Sequence, residues 1–167
     1  MKPLLIVFAG PPCAGKTTVA AELARQLHIP YLSMDATRQR ILPGAEHTRA
    51  DRQVAYRAMH LAAELLLQLG ARVILDAPYG HPEDRAELAR IAETGRARLC
   101  LVECRVSPDT AVLRLRQRGP DPQRPDLTET IVAQSARDYP YANTGLVLDM
   151  DRSAPEEAIQ QVRQYIQ

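Results

Sequence analysis

The sequence predicts an α/β protein built on one parallel sheet with helices on both faces, and three observations carry that expectation. Five apolar runs of strand length alternate with stretches of helical period, the pattern of a parallel sheet whose crossovers are helices. The first run, Leu4 to Phe8, is unbroken and leads through a glycine loop into a helix, as a central strand buried on both faces would. Carboxylates, Asp35 and Asp76, follow the second and third runs. In such a sheet the carboxyl ends of the strands hold the ligand site.

Each element has its own signal. Val19, Leu23 and Leu27 recur at helical spacing after the loop, and Ile29-Pro30 closes that helix. Tyr31 to Met34 is a short second strand, and Asp35 reads as the N-cap of a helix that Pro43-Gly44 breaks. Arg49 to Leu69, carrying Val54, Met59, Leu61, Leu65, Leu66 and Leu69, is a long helix with Gly70 at C′. Arg72 to Asp76 is the third strand, Pro82 to Thr94 a helix stopped by Gly95, and Leu99 to Val106 the fourth strand. Ser107-Pro108 pairs an N-cap with Pro at N1 for a helix through Arg118. Asp121 to Asp126 is loop, and Asp126 to Glu129 has capping-box spacing for a helix ending near Asp138. Leu146 to Asp149 is the fifth strand, and Ser153 with Glu156 opens the last helix.

Gly10-Pro-Pro-Cys-Ala-Gly-Lys-Thr17 fits G-x-x-x-x-G-K-[ST], a loop that wraps polyphosphate with its backbone N–H groups. A side chain at Gly10 or Gly15 would obstruct the turn or the approach of the phosphates. Lys16 is expected at the β and γ phosphates, with the Thr17 hydroxyl on Mg²⁺. The nucleotide-binding residues are therefore Gly10, Cys13, Ala14, Gly15, Lys16, Thr17 and Thr18, and the expected cofactors are ATP and Mg²⁺. Asp76, ending an aliphatic strand, is the second candidate metal ligand.

The chain has 167 residues, 46% apolar and 25% charged, which suits a single domain over 1–167 able to form a core without staples. The 21 basic and 20 acidic residues leave +1, so no global field points to a long nucleic acid. Nineteen of the basic residues are arginines, and two clusters, Ala36 to His60 and Arg105 to Arg124, each carry five arginines against two acids. No apolar run approaches the roughly 18 residues of a membrane span. Cys100 and Cys104, on one strand, would lie about 13 Å apart, so Cys13, Cys100 and Cys104 read as reduced thiols of a cytoplasmic protein.

Phosphoryl transfer also needs a group to orient the nucleophile and positive charge near the transferring phosphate. Asp35 is the candidate general base toward a hydroxyl, with Arg38 one turn along to orient or neutralise the acceptor. Arg114 and Arg118, four apart on a helix face, are candidates for a lid over approximately 114–126. Arg85 either reaches the active edge or is solvated, and Asp149 to Arg152 would lie near the nucleotide base.

With these residues in place the chain resembles the small phosphate-loop kinases, a group that includes gluconate, shikimate and adenylylsulfate kinases, chloramphenicol phosphotransferase, zeta-toxin-like kinases and the kinase domain of phage polynucleotide kinase. The resemblance rests on Gly10 to Thr17, Asp35-x-x-Arg38, Val73 to Asp76 and Arg114-Leu-x-x-Arg118. It implies a P-loop NTPase three-layer α/β/α sandwich with a five-stranded parallel sheet of order 2-3-1-4-5 and a helical lid. It also implies an ATP donor with Mg²⁺, and the Asp after strand two as base.

The acceptor stays open between a hydroxyl-bearing small molecule and, with the same arginines holding phosphates, a polynucleotide 5′-hydroxyl. A regulatory ATPase with no small acceptor is the third reading. Monomer and homodimer are both compatible with the sequence.

Overall fold

The computed structural model describes residues 2–121 and 124–167. Its strands are β1 (Leu4–Ala9), β2 (Tyr31–Ser33), β3 (Arg72–Asp76), β4 (Arg98–Arg105) and β5 (Leu146–Asp149). Its helices are α1 (Lys16–Leu27), α2 (Met34–Ile41), α3 (Arg49–Gln68), α4 (Pro82–Thr94), α5 (Pro108–Arg118), α6 (Glu129–Asp138) and α7 (Pro155–Tyr165). Every strand pair is parallel, and the order is β2-β3-β1-β4-β5, as expected of a P-loop NTPase α/β fold.

Strand alternation divides the core into two layers. Leu4, Ile6 and Phe8 of β1 pack with Val19 and Leu23 of α1 and Ile159 and Val162 of α7. Leu5 and Val7 pack on the other face with Met59 and Leu67 of α3 and Leu88 and Ile91 of α4. Burying each such side chain contributes about 1.5–3 kcal/mol, so β1, buried at all six positions, is pinned from both sides. The loop that follows it inherits that fixity.

Three helix starts differ from the sequence expectation. α2 begins one residue before Asp35, because the Ser33 hydroxyl accepts the Ala36 N–H and takes the cap position. α6 is capped by Thr128, whose Oγ1 accepts the Ile131 N–H, while Asp126 pairs with Arg124 instead. α7 is capped at Ala154, whose N–H donates to Glu157, one residue along from the Ser153/Glu156 register. A capping box read from spacing competes with every neighbouring Ser, Thr and Asp, and the chain direction after the preceding strand decides which wins. In α3 the core face is Ala55, Tyr56, Met59, Ala63 and Leu67, so Val54, Leu61, Leu65 and Leu69 are exposed. Along that face Ala55 and Ala63 alternate with Met59 and Leu67 at four-residue spacing.

Candidate active site

The carboxyl edges of β1, β3 and β2 lie side by side, with Phe8 opposite Asp76 and Ser33 opposite Asp76 across the two ladders. The loop after β1 turns sharply at Gly10, where a Cβ would meet the Cys104 carbonyl oxygen at 2.6 Å. The neighbouring strand β4 therefore requires this glycine before any phosphate is considered. Gly15 has φ +91°, a conformation other residues rarely adopt, and Cys13 sits in the left-handed region at φ 60°. Cys104 is fully buried beneath the loop, and burial pushes its thiol up to about 12.

Lys16 is buried, and its Nζ donates to the Pro11 carbonyl at 2.8 Å, curling the loop over its own lysine. Thr17 Oγ1 donates to Asp76 Oδ2 at 2.6 Å, bringing the two candidate metal ligands together. The same Oδ2 accepts the Tyr31 hydroxyl at 2.7 Å. Burial first, and the Asp76 charge second, push the Tyr31 phenol above its usual value, so it stays a donor.

These groups open onto a cleft of about 500 Å³. Lys16, Thr17 and Asp76 line it together with Asp35, Arg49, Arg52, Tyr56 and Tyr139. Asp35, in the first turn of α2, faces this space and accepts from Arg124 Nη1 at 2.8 Å. Arg124 in turn is held by Asp126, through Nε at 3.1 Å and Nη2 at 3.2 Å, and His47 Nδ1 lies 3.5 Å from Asp126. Arg49 is neutralised by Asp84 at 2.7 Å and Glu83 at 3.0 Å. Arg52 bonds the backbone carbonyls of His47 and Thr48 and has no carboxylate partner among the described residues.

The sequence-derived arginine pairs divide. Arg38 is 3% exposed, does not line the cleft, and directs Nη1 to the Ala45 carbonyl at 3.5 Å. Three residues of α-helix fall about 60° short of a full turn, enough to send Asp35 into the cleft and Arg38 beneath the α2–α3 connection. Its expected contact with the acceptor is therefore replaced, in this arrangement, by a brace on that connection. Arg114 does not line the cleft either. Its Nη1 donates to the Ala14 carbonyl at 3.1 Å and the Cys13 carbonyl at 3.4 Å, and its Nη2 to the Met150 carbonyl. Arg118 does line the cleft, with Asp121 3.9 Å away. The lid expected over 114–126 includes 122 and 123, which lie outside the described residues.

Behind the cleft, Arg85 is not solvated. It donates to the Tyr79 carbonyl at 2.6 Å and lies over the Tyr139 ring at 5.5 Å. The Tyr79 N–H donates to the Tyr56 hydroxyl at 3.0 Å, and the Tyr79 hydroxyl lies 3.1 Å from His60 Nε2. Burial lowers the His60 pKa. Asp151 accepts the Ser107 N–H at 3.1 Å, fixing the start of α5.

Sequence reasoning missed Tyr31, Arg124, Arg52 and the Tyr56–Tyr79–His60 cluster. Only the arginine clustering signalled two of them, since no local pattern distinguishes a tyrosine that reaches a carboxylate 45 residues away. The phosphate loop, Asp76 and Asp35 were legible in the sequence; the side chains that hold them were not.

The family model of an AAA domain matches residues 5–141. The chain belongs to that AAA-domain family. An adenylate kinase of Rhodopirellula baltica is 29% identical over 175 aligned positions, taking in 92% of this chain and 90% of that protein. The Mycobacterium tuberculosis APS kinase CysC, solved with AMPPNP and APS, superposes with TM-score 0.73 at 23% identity, covering 98% of this chain and 97% of that one. A gluconokinase of Sinorhizobium meliloti superposes with TM-score 0.67 at 17% identity over 98% and 94% of the two chains. The AAA-domain chain thus has the fold of the small P-loop kinases, the group that its sequence resembles. No helix among the described residues is long and apolar enough to cross a membrane.

Proposed function

We propose that this AAA-domain protein is a Mg-ATP-dependent kinase that transfers the γ-phosphoryl group to a hydroxyl of a small-molecule acceptor. One observation carries the reading: Lys16, Thr17 and Asp76 line the same cleft as the carboxylate of Asp35. Its volume of about 500 Å³ lies in the range of small-molecule pockets, roughly 300–1,000 Å³. The phosphotransferase relatives, which by name act on AMP, APS and gluconate, support the same class.

In this mechanism the backbone N–H groups from Cys13 to Thr18 hold the phosphates. Lys16 exchanges the Pro11 carbonyl for a phosphate oxygen and neutralises charge on the transferring group. Thr17 Oγ1 and Asp76 are hard oxygen donors within 2.6 Å of one another, and with phosphate oxygens and water they suit Mg²⁺, which takes few protein ligands. Among the described residues no cluster of three His, Cys, Asp or Glu offers an alternative all-protein metal cage. Bound Mg²⁺ would offset the charge that develops on the phosphate oxygens. Asp35 accepts the acceptor hydroxyl's proton, with Arg124 holding the carboxylate through Oδ2. Arg118 adds positive charge from α5, and Arg52 offers a cation to an anionic acceptor. Arg114 acts on the loop backbone and not on the phosphate.

The test is ATP consumption against a panel of hydroxy acids, sugars, nucleosides, AMP, adenylylsulfate and 5′-hydroxyl oligonucleotides, with the product identified by mass. A phosphorylated small molecule formed at a rate well above ATP hydrolysis is expected. Hydrolysis alone, unresponsive to every hydroxyl compound, would sink the proposal in favour of a regulatory ATPase. Oligonucleotide phosphorylation with affinity falling steeply in salt, near −0.7 per single-strand phosphate contact in log–log slope, would move the acceptor to a polynucleotide.

A further inference from the structure

We infer that Tyr31 is a positioning residue for the metal: its hydroxyl fixes the orientation in which the Asp76 carboxylate meets the nucleotide-bound Mg²⁺. The inference rests on the Mg-nucleotide half of the proposed function and not on the identity of the acceptor. Asp76 is 3% exposed, so a carboxylate there must be held by donors. Both donors that reach it, Thr17 Oγ1 at 2.6 Å and Tyr31 OH at 2.7 Å, converge on Oδ2. No donor among the described residues reaches Oδ1, although Asp76 lines the cleft. The carboxylate is thereby held at one oxygen and open at the other.

Strand register explains how a residue on β2 does this. Tyr31 pairs with Ile74, and Asp76 lies two residues further along β3 on the same face of the sheet. The ring lies against the α1-side core, and its hydroxyl reaches forward along β3 to the carboxylate. A merely space-filling residue here would need no hydroxyl, since Tyr31 is only partly buried and packs its ring against apolar neighbours. With a single donor the Asp76 carboxylate could turn about its Cα–Cβ and Cβ–Cγ bonds and tilt its free oxygen away from the cleft. With two donors from different elements, α1 and β2, it cannot.

The experiment is Tyr31→Phe, read as binding of ADP and of AMPPNP by titration calorimetry with and without Mg²⁺, and as Mn²⁺ binding to the nucleotide complex by electron paramagnetic resonance. Loss of a partner behind a metal ligand typically costs about 10- to 100-fold in metal affinity, and that loss is expected, with metal-free ADP affinity unchanged. Saturating Mg²⁺ should restore turnover, which a loss of packing would not allow. Adding Tyr31→Phe to Asp76→Asn should produce no further change in Mg²⁺ dependence. Metal affinity within two-fold of wild type in Tyr31→Phe, or an equal loss in the metal-free and metal-bound states, would overturn the role. If the wild-type chain bound nucleotide with no metal dependence, the metal reading of the proposed function would fall together with this one. Failure of the acceptor panel alone would leave the Tyr31 result standing.

Discussion

Two regions of the cleft are built on different principles. The phosphate-loop region is assembled from neighbours in the sheet: β1 beside β3 and β4, Gly10 against the Cys104 carbonyl, Lys16 on Pro11, Thr17 on Asp76. Its geometry follows from strand register and backbone shape, and so is fixed once the sheet forms. The Asp35 region is assembled from ion pairs between segments far apart in the chain. Arg124 crosses 89 positions to Asp35, and Arg49 crosses 35 to Asp84. Ion pairs at partly exposed positions contribute little to stability and can exchange partners. The difference teaches that the phosphate-loop residues suit an invariant ligand, whereas the ion-paired residues around Asp35 can rearrange around a variable one.

The sharpest break of this contrast is chemical. Asp35→Asn should lower phosphotransfer by about 10²- to 10⁴-fold, the usual contribution of a general base, while nucleotide affinity in calorimetry stays near wild type. Lys16→Ala should lower phosphotransfer by about 10²- to 10³-fold, comparable to the loss of one oxyanion-type contact, and should weaken nucleotide binding as well. If Asp35→Asn weakened nucleotide binding as much as Lys16→Ala, the two regions would not be separable.

The two arginines of α5 sharpen it further. Arg114→Ala leaves the Cys13, Ala14 and Met150 carbonyls without their donor, at about 1–3 kcal/mol, and should lower the melting temperature and nucleotide affinity together. Arg118→Ala should leave the melting temperature unchanged, because its ion pair with Asp121 is long, at 3.9 Å, and partly exposed, and should slow turnover. Equal thermal effects in the two variants would show that Arg114 does not organise the loop.

The smallest effect concerns the wall behind the cleft. His60 has a pKa lowered by burial below the ordinary 6.5, so the unfolded chain binds its proton more readily than the folded one. Its contribution is complete above the unfolded value and declines as pH falls through about 6.5 toward the lower folded value. Glu87 and Asp84 act against that shift, and Arg90 acts with it. Urea titrations between pH 5 and 8 should show a His60 contribution that rises with pH up to about 6.5 and levels off above it, with that slope lost in His60→Gln.

Much of the fold was legible because it is written locally. Pro and Gly boundaries located α4 and α5, the aliphatic runs located β1 and β3, and the glycine spacing located the phosphate loop. Cap choice was less legible, since Ser33, Thr128 and Ala154 displaced the caps expected at Asp35, Asp126 and Ser153. Within the site, Lys16, Thr17, Asp76 and Asp35 share one cleft, whereas Arg38 and Arg114 turn to backbone carbonyls outside it.

The sequence by itself therefore determined the polyphosphate loop, the alternation of strands and helices, and the edge at which they converge. These depend on residues within a few positions of one another, whose backbone preferences do not wait for the rest of the chain. Only the tertiary structure decided that Tyr31 and Thr17 share one oxygen of Asp76, that Arg124 holds Asp35, and that Arg38 lies buried beside Ala45. Each of those outcomes depends on strand register, on the rotation of a helix about its axis, or on a partner brought from dozens of residues away.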